Sequence, residues 1–363
     1  MLRQLLRKLS RRRDAGVELE IESESEEHVD DAIYAEDTGE GGQPACSGAE
    51  ETSSDSATTS QVSAPLSMKD RIKNDLSCRL ADLQDKYSDV SEGTDIVALL
   101  DMLEDAENNV VRQPPLAAQR VLAVSRNPDA GLNDLVGLLE RDPTLTQGLL
   151  RYANSAFYAG ISSEPVVALM TAVQRVGMAG VEAVVLRSIA EGLISRPGPP
   201  FDRLVGKVWS HMVRCAPIAR SIAPAFGVEP DRAFTLGLLH DAGKLVILDR
   251  VSTLRSNLRR APELPTAFLS ATLSGLHQTL GALAAAEWGL GDETVAAIAN
   301  HHRNPVPEID STMCEVVYVA EQVDLARQKN EELVLAELWK AGQLTGSIES
   351  TSEAIEAELS QAA

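Results

Sequence analysis

The chain is short of the residues that build sheets. Aromatics make up only 4% of its 363 residues, and no segment shows a convincing apolar–polar alternation of strand type. Ala and Leu are plentiful instead, and they lose little side-chain entropy in a helix. Cysteine is scarce as well. Cys46, Cys78, Cys215 and Cys314 are far apart and form no C-x-x-C pair, which excludes a disulfide framework or zinc ribbon and fits a reducing compartment. No apolar run approaches the roughly 20 residues that span a bilayer. The nearest, Val181–Ile194, is interrupted by Glu182, Arg187 and Glu191. The opening residues, MLRQLLRKLSRRR, lack the continuous apolar core of a secretory signal. A cytoplasmic protein without a transmembrane segment is expected. Cations are in deficit, and a formal net charge of −21 repels nucleic acid and anionic membrane.

Charge is unevenly spread. Arg3, Arg7, Lys8, Arg11, Arg12 and Arg13 alternate with Leu2, Leu5, Leu6 and Leu9, so a helix over residues 1–13 has one basic and one apolar face. Such a helix makes weak membrane-surface or partner contacts. A solvated, partly helical tail accounts for the same pattern, because so short a helix is marginal in water. Residues 14–55 then hold fifteen Asp or Glu and no Lys or Arg, and residues 38–64 are rich in Gly, Ser, Thr and Ala. Residues 1–65 are expected to form a basic, then acidic, disordered tail, since they cannot bury enough apolar surface to offset their ordering entropy.

Helical stripes begin beyond the tail. Leu76, Leu80 and Leu83 form one, and Ile96, Leu99, Leu100 and Leu103 another, within a helical extension over residues 66–109. Pro114-Pro115 marks a boundary. The main body is expected over residues 110–325 as a two-lobed, all-α bundle. Its lobes meet near Ile194–Phe201, where Arg196-Pro-Gly-Pro-Pro200 cannot continue a helix. Asn154 and Ser155 are expected at or near the contact between lobes, where short polar side chains can bond to backbone. Residues 326–363 form a C-terminal helical tail whose last dozen residues fray.

Five of the six histidines fall between residues 211 and 302, each on an apolar helical face. His211 shares a stripe with Cys215, Ile218 and Ile222, and His240 ends a face holding Ala233 and Leu236. His277 lies between Leu273 and Leu280, and His301-His302 follow Val295 and Ile298. Inward-facing imidazoles need partners. A hydrogen-bonded polar core supplies them in one way. A cluster of Fe, Mn, Zn or Ni does so in another, and two such ions a few ångströms apart activate water for phosphoester cleavage. The pair His240-Asp241 offers adjacent nitrogen and oxygen ligands, and Lys244, one turn on, can steady a phosphate.

These segments resemble an HDOD domain, an all-helical relative of the HD metal-dependent phosphohydrolases found in bacterial signalling proteins. FTLGLLHDAGKLVIL (Phe234–Leu248) is similar to the HD signature. The order Trp209-Ser-His211, His240-Asp241, His277-Gln-Thr-Leu-Gly281 and His301-His302 is similar to the family pattern. So are DPTLTQGLLRYANSAFY (Asp142–Tyr158) and ISSEPVVALMTAVQRVGMAGV (Ile161–Val181). The likeness covers roughly 200 residues. It implies a candidate metal-ligand set of His211, His240, Asp241, His277, His301, His302 and Glu321, with Asp241 and Lys244 as catalytic groups if the protein is an enzyme. HDOD domains are also similar to HD-GYP domains, which hydrolyse cyclic di-GMP. Here Arg303-Asn-Pro-Val-Pro-Glu308 follows the paired histidines in place of the Gly-Tyr-Pro hallmark, and Lys207 stands where an acid would hold a third metal. Glu321 aligns with the terminal Asp of the pattern, and Asp324 is a possible substitute for it. The resemblance implies a regulatory protein that binds a signalling partner or nucleotide ligand. The competing reading is a metal-dependent phosphohydrolase acting on a nucleotide or cyclic dinucleotide.

Deleting residues 14–60 is expected to leave the thermal midpoint within a few degrees of the full chain by scanning calorimetry. A fall of many degrees would mean that the segment packs.

Overall fold

The computed structural model describes residues 67–90, 92, 94–104, 115–127, 129–159, 165–192, 197–199, 201–302 and 312–361. The expected basic helix over residues 1–13, the acidic tail and the run Arg303–Glu308 lie outside these. Among the described residues the chain is helical, without a strand. The helices are α1 (Met68–Lys86), α2 (Ile96–Glu104), α3 (Leu116–Ser125), α4 (Leu132–Leu139), α5 (Pro143–Ala153), α6 (Ala156–Ala159), α7 (Leu169–Gly192), α8 (Phe201–Ile222), α9 (Pro230–Leu239), α10 (Ala242–Leu258), α11 (Thr266–Glu287), α12 (Asp292–Asn300), α13 (Thr312–Lys329), α14 (Leu335–Gly342) and α15 (Ile348–Gln361).

Both stripes of the predicted extension are buried, with Ile72 added to the first. Helix α1 packs on α11 and α2 on α10, so the extension lies against the histidine-bearing lobe. The first lobe comprises α3–α7. Helix α5 starts at Asp142, whose carboxylate accepts from the backbone N–H groups of Thr144 and Leu145, with Pro143 at the first helical position. Asn154 bonds to backbone, within the first lobe. Its side chain clips the first lobe to itself, donating to Leu150 O and Val166 O and accepting from Val166 N.

Helix α7 is long and apolar enough by composition to cross a bilayer, which the interrupted run Val181–Ile194 did not suggest. It breaks at Gly177 (φ 69°, ψ −175°), a conformation that side-chain-bearing residues avoid, and packs against α3, α4, α5 and α9 as a core helix. It ends at Gly192, and α8 begins at Phe201, so no continuous helix runs through Pro197 and Gly198.

The second lobe is built on pairs: α8 with α9, α10 with α11, α11 with α12, and α8 with α13. Helix α15 covers α8. As far as Gln361 the C-terminal residues are helical where fraying was expected, and Ile355 and Leu359 are buried. At the centre, residues 233–249 are buried without interruption.

Two glycines, three residues upstream of His240 and three after it, let neighbouring helices close in. A Cβ on Gly237 would sit 2.9 Å from Ala219 Cβ and 3.1 Å from Ala216 Cα on α8. One on Gly243 would sit 1.9 Å from the carbonyl oxygen of His277 and 2.7 Å from Gly281 N on α11. The backbones of α10 and α11 thus touch where only hydrogen fits. Gly243→Ala is expected to lower stability by about 1–3 kcal/mol or more through overpacking. Gly275→Ala, whose Cβ would meet nothing within 4 Å on the same helix α11, is expected to raise stability by ~0.5–1 kcal/mol. Thermal melts of the two variants should move in opposite directions.

Candidate metal centre

The chain turns sharply at His240-Asp241. Helix α9 ends at His240, whose Nδ1–H donates to Gly237 O (2.9 Å), and Asp241 opens α10. The positive end of α10 thus faces a carboxylate. His301 caps α12 in the same way as His240 caps α9, with Nδ1–H donating to Ile298 O (2.7 Å). Within α11, His277 Nδ1–H donates to Leu273 O (2.8 Å). A carbonyl oxygen can only accept, so each Nδ1 carries a proton, and in the neutral ring each Nε2 keeps a lone pair pointing inward.

These lone pairs converge on two carboxylates. Asp241 Oδ2 lies 3.5 Å from His240 Nε2 and 3.8 Å from His211 Nε2, while Oδ1 lies 3.7 Å from His277 Nε2 and 3.9 Å from His301 Nε2. Glu321 Oε1 lies 3.4 Å from His240 Nε2 and 3.9 Å from His211 Nε2, and Oε2 lies 3.5 Å from His302 Nδ1. Among the described residues, two overlapping groups containing carboxylate could hold an ion, His211, His240, Asp241 and Glu321, and Asp241, His277, His301 and His302, beside a third formed by His211, Cys215 and His240. Asp241 belongs to the first two, with one oxygen toward each.

The donor set fits divalent metal. His211 donates from Nδ1 to Asp324 Oδ2 (2.8 Å), so its Nε2 and that of His240 are both lone-pair atoms when the rings are neutral, yet they stand 3.3 Å apart. They repel unless a proton or a metal ion lies between them. His277 and His302 bring their Nε2 atoms to 3.0 Å. Asp241 Oδ1, His301 Nε2 and Glu321 Oε2 are buried without a hydrogen-bond partner. Imidazole nitrogens and carboxylate oxygens of this kind suit Fe, Mn, Zn or Ni.

Without an ion, protons do the compensating. Burial works against charge on His240, but Asp241 and Glu321 outweigh it and push its pKa up to about 10. His301 is pushed down to about 3 by burial, with His302 adding to the effect. His277 is held well below its usual range by burial and by Lys244. Burial works against charge on Asp241 too, yet Lys244 and His240 hold its carboxyl well below the usual range.

All seven candidate ligands lie around this one centre. Lys244 is beside them, with Nζ 2.9 Å from Asp241 Oδ2 and its side chain only 7% exposed. Asp324 does not stand in for the terminal acid. It sits behind His211, bound also by Arg214 Nε (2.7 Å) and Gln328 Nε2 (2.6 Å), and orients that ring from outside. This outer role went unread, although Asp324 lies three residues after Glu321. Cys215, one turn after His211, brings Sγ to 3.5 Å from His211 Nδ1. Burial and the neighbouring carboxylates keep its thiol protonated.

A family model of the HDOD domain matches residues 111–304. An uncharacterized protein of Treponema pallidum is 26% identical over 200 residues, 53% of this chain and 38% of its own length, so the chain spans well under half of that relative. A crystal structure from Shewanella amazonensis SB2B, named as a candidate phosphohydrolase, superposes with a TM-score of 0.55 at 23% identity, covering 72% of this chain and 98% of that one. A Marinobacter aquaeolei VT8 structure, named as a candidate signal transduction protein, gives 0.54 at 18% identity over 83% of this chain and 65% of that one. Both likenesses speak for the fold alone.

The titrations set a stability profile for metal-free protein. Between about pH 3 and 6.5 the unfolded chain binds the protons that buried His301 refuses, so stability rises with pH. Between about pH 6.5 and 10 the folded chain keeps a proton on His240 that the unfolded chain releases, so stability falls. Thermal midpoints measured in chelator should peak near pH 6.5, and His240→Asn should flatten the alkaline limb.

Proposed function

This chain belongs to the HDOD family, and on that premise we propose that it is a regulatory signalling protein whose histidine–carboxylate centre holds divalent metal to fix its conformation, without turning over a substrate. Enclosure carries this reading. The side chains of Asp241, His240 and His301 have no exposed surface, and those of His211, His277 and Glu321 are at most 5% exposed. Only His302, at 30%, reaches outward. A phosphodiester must enter between two ions to be cleaved, and among the described residues packed side chains wall that space. Lys244, the group suited to steady a phosphate, is held on Asp241. The output is then binding of a signalling partner or nucleotide ligand, with residues 1–13 available for weak surface contacts. The name of the Marinobacter relative agrees with this reading.

One observation favours the second reading, a metal-dependent phosphohydrolase. Asp241 presents one oxygen to each ligand group, as a carboxylate bridging two ions does. Bound metal of this kind supplies an activated water at neutral pH. His211, His240 and Glu321 would hold one ion and His277, His301 and His302 the other. Asp241 would link them, and Lys244 would leave it to meet the phosphate. The name of the Shewanella relative agrees with this alternative.

Elemental analysis of purified protein, with turnover assays on cyclic di-GMP and bis(4-nitrophenyl) phosphate, separates the two. The expected result is bound Fe, Mn, Zn or Ni that disappears in Asp241→Ala, with no hydrolysis above background. Hydrolysis by the wild type that vanishes in Asp241→Ala would establish the enzyme instead. Absence of metal after reconstitution would leave the cluster as a polar core only.

A further inference from the structure

A second polar site lies away from the histidine centre. Helix α8 carries His211 and, nine residues on, Arg220, about 13 Å farther along the axis at 1.5 Å per residue. Beside Arg220 is a cavity of about 520 Å³ between α5 and α7 of the first lobe and α8 and α9 of the second, with Glu358 of α15 in its wall. Its size falls in the range of small-molecule sites, roughly 300–1,000 Å³.

Arg220 is 3% exposed. Its guanidinium lies over the rings of Tyr152, Phe157 and Phe234 at 4.3, 4.6 and 4.2 Å. Nη2 is 3.0 Å from Asp231 Oδ1, and the Asp231 carboxylate is fixed in turn by the hydroxyls of Tyr152 (2.9 Å) and Tyr158 (2.6 Å). Aromatic rings and a bridging acid thus hold the cation rigidly in the wall. Three buried polar atoms of that wall, Arg220 Nε and Nη2 and Ser155 Oγ, lack a hydrogen bond, although Nη2 is close enough to Asp231 for an ion pair. The Arg220 N–H groups can only donate and so call for an acceptor, and the Ser155 hydroxyl can donate to the same kind of group. Arg151 adds positive charge. The two acids of the wall are engaged, Glu191 with Arg187 (3.0 Å) and Glu358 with the Ser221 hydroxyl (2.8 Å). The remaining lining is largely apolar, including Leu145, Val184, Val213 and Pro217.

We propose that this cavity is a ligand site separate from the histidine centre. It takes a small organic anion, whose carboxylate or phosphoryl oxygens accept from Arg220 and Ser155 while its apolar body packs against Val184, Val213 and Pro217. The inference holds whichever reading of the histidine centre is correct. It also gives Ser155 a role at the contact between lobes, where a hydroxyl would otherwise be buried for nothing.

Isothermal titration of the full chain with phenylphosphonate, which has no ester to hydrolyse, tests this. Saturable binding is expected, with phenol at least tenfold weaker. Arg220→Met should weaken phenylphosphonate at least tenfold, Ser155→Ala should weaken it measurably, and Val213→Phe, which fills the cavity, should abolish it. Adding a metal chelator should leave it unchanged. If Arg220→Met misfolds by circular dichroism, Ser155→Ala and Val213→Phe decide the matter. No binding, phenol binding as tightly as the phosphonate, or binding unmoved by Ser155→Ala and Val213→Phe would each overturn the proposal. Loss of binding in chelator would place the anion at the histidine centre and overturn it as well.

Discussion

A carboxylate with no exposed surface governs this molecule. Burying Asp241 ionised is costly unless charge and hydrogen bonding compensate for it on every side. The helix α10 N-terminus lies behind it, Lys244 is one turn away, and histidines from α8, α9, α11 and α12 stand around its two oxygens. Four helices can bring their side chains to one point only if their backbones approach closely. Gly237 and Gly243 permit this, with α8 against one and α11 against the other. Helix packing and site chemistry are therefore one constraint. The crossing that leaves no room for a methyl group is the crossing that brings His277 to Asp241.

Much of this was legible in the sequence, and the reason is periodicity. Leu76, Leu80 and Leu83, and then Ile96, Leu99, Leu100 and Leu103, announce their buried faces because one side of each helix remains polar. The histidines could be placed inward for the same reason, since each rides an apolar stripe. Asp324 was harder. Spacing puts it on the inner side of α13 with Glu321, but only three-dimensional geometry separates the acid that enters the centre from the one that stands behind His211. Arg220 and Asp231 gave no signal at all. An arginine near the end of an apolar helix and an aspartate in a first turn both read as solvent-facing, and their pairing depends on rings contributed by α5 and α6.

The outer shell is as ordered as the inner one. Asp324 is held by Arg214 and Gln328 before it meets His211, and Asp231 by two tyrosines before it meets Arg220. Helix α8 thus carries two buried polar systems, each anchored by an acid from another helix. Pro217 lies between them and removes one backbone donor from the helix. The C-terminal helix α15, packed on α8 with Glu358 on Ser221, belongs to this arrangement and is no loose end.

The unbroken burial of residues 233–249 has a consequence for how such a chain can change over time. A surface helix drifts along its solvated side while its inner stripe stays fixed. This segment has no solvated side, so each of its positions answers to packing, to the polar centre or to both. It accepts few substitutions anywhere along its length, while the rest of the bundle can exchange one apolar residue for another of similar volume. The stretch of seventeen residues around one aspartate is therefore where substitution is expected to be tolerated least.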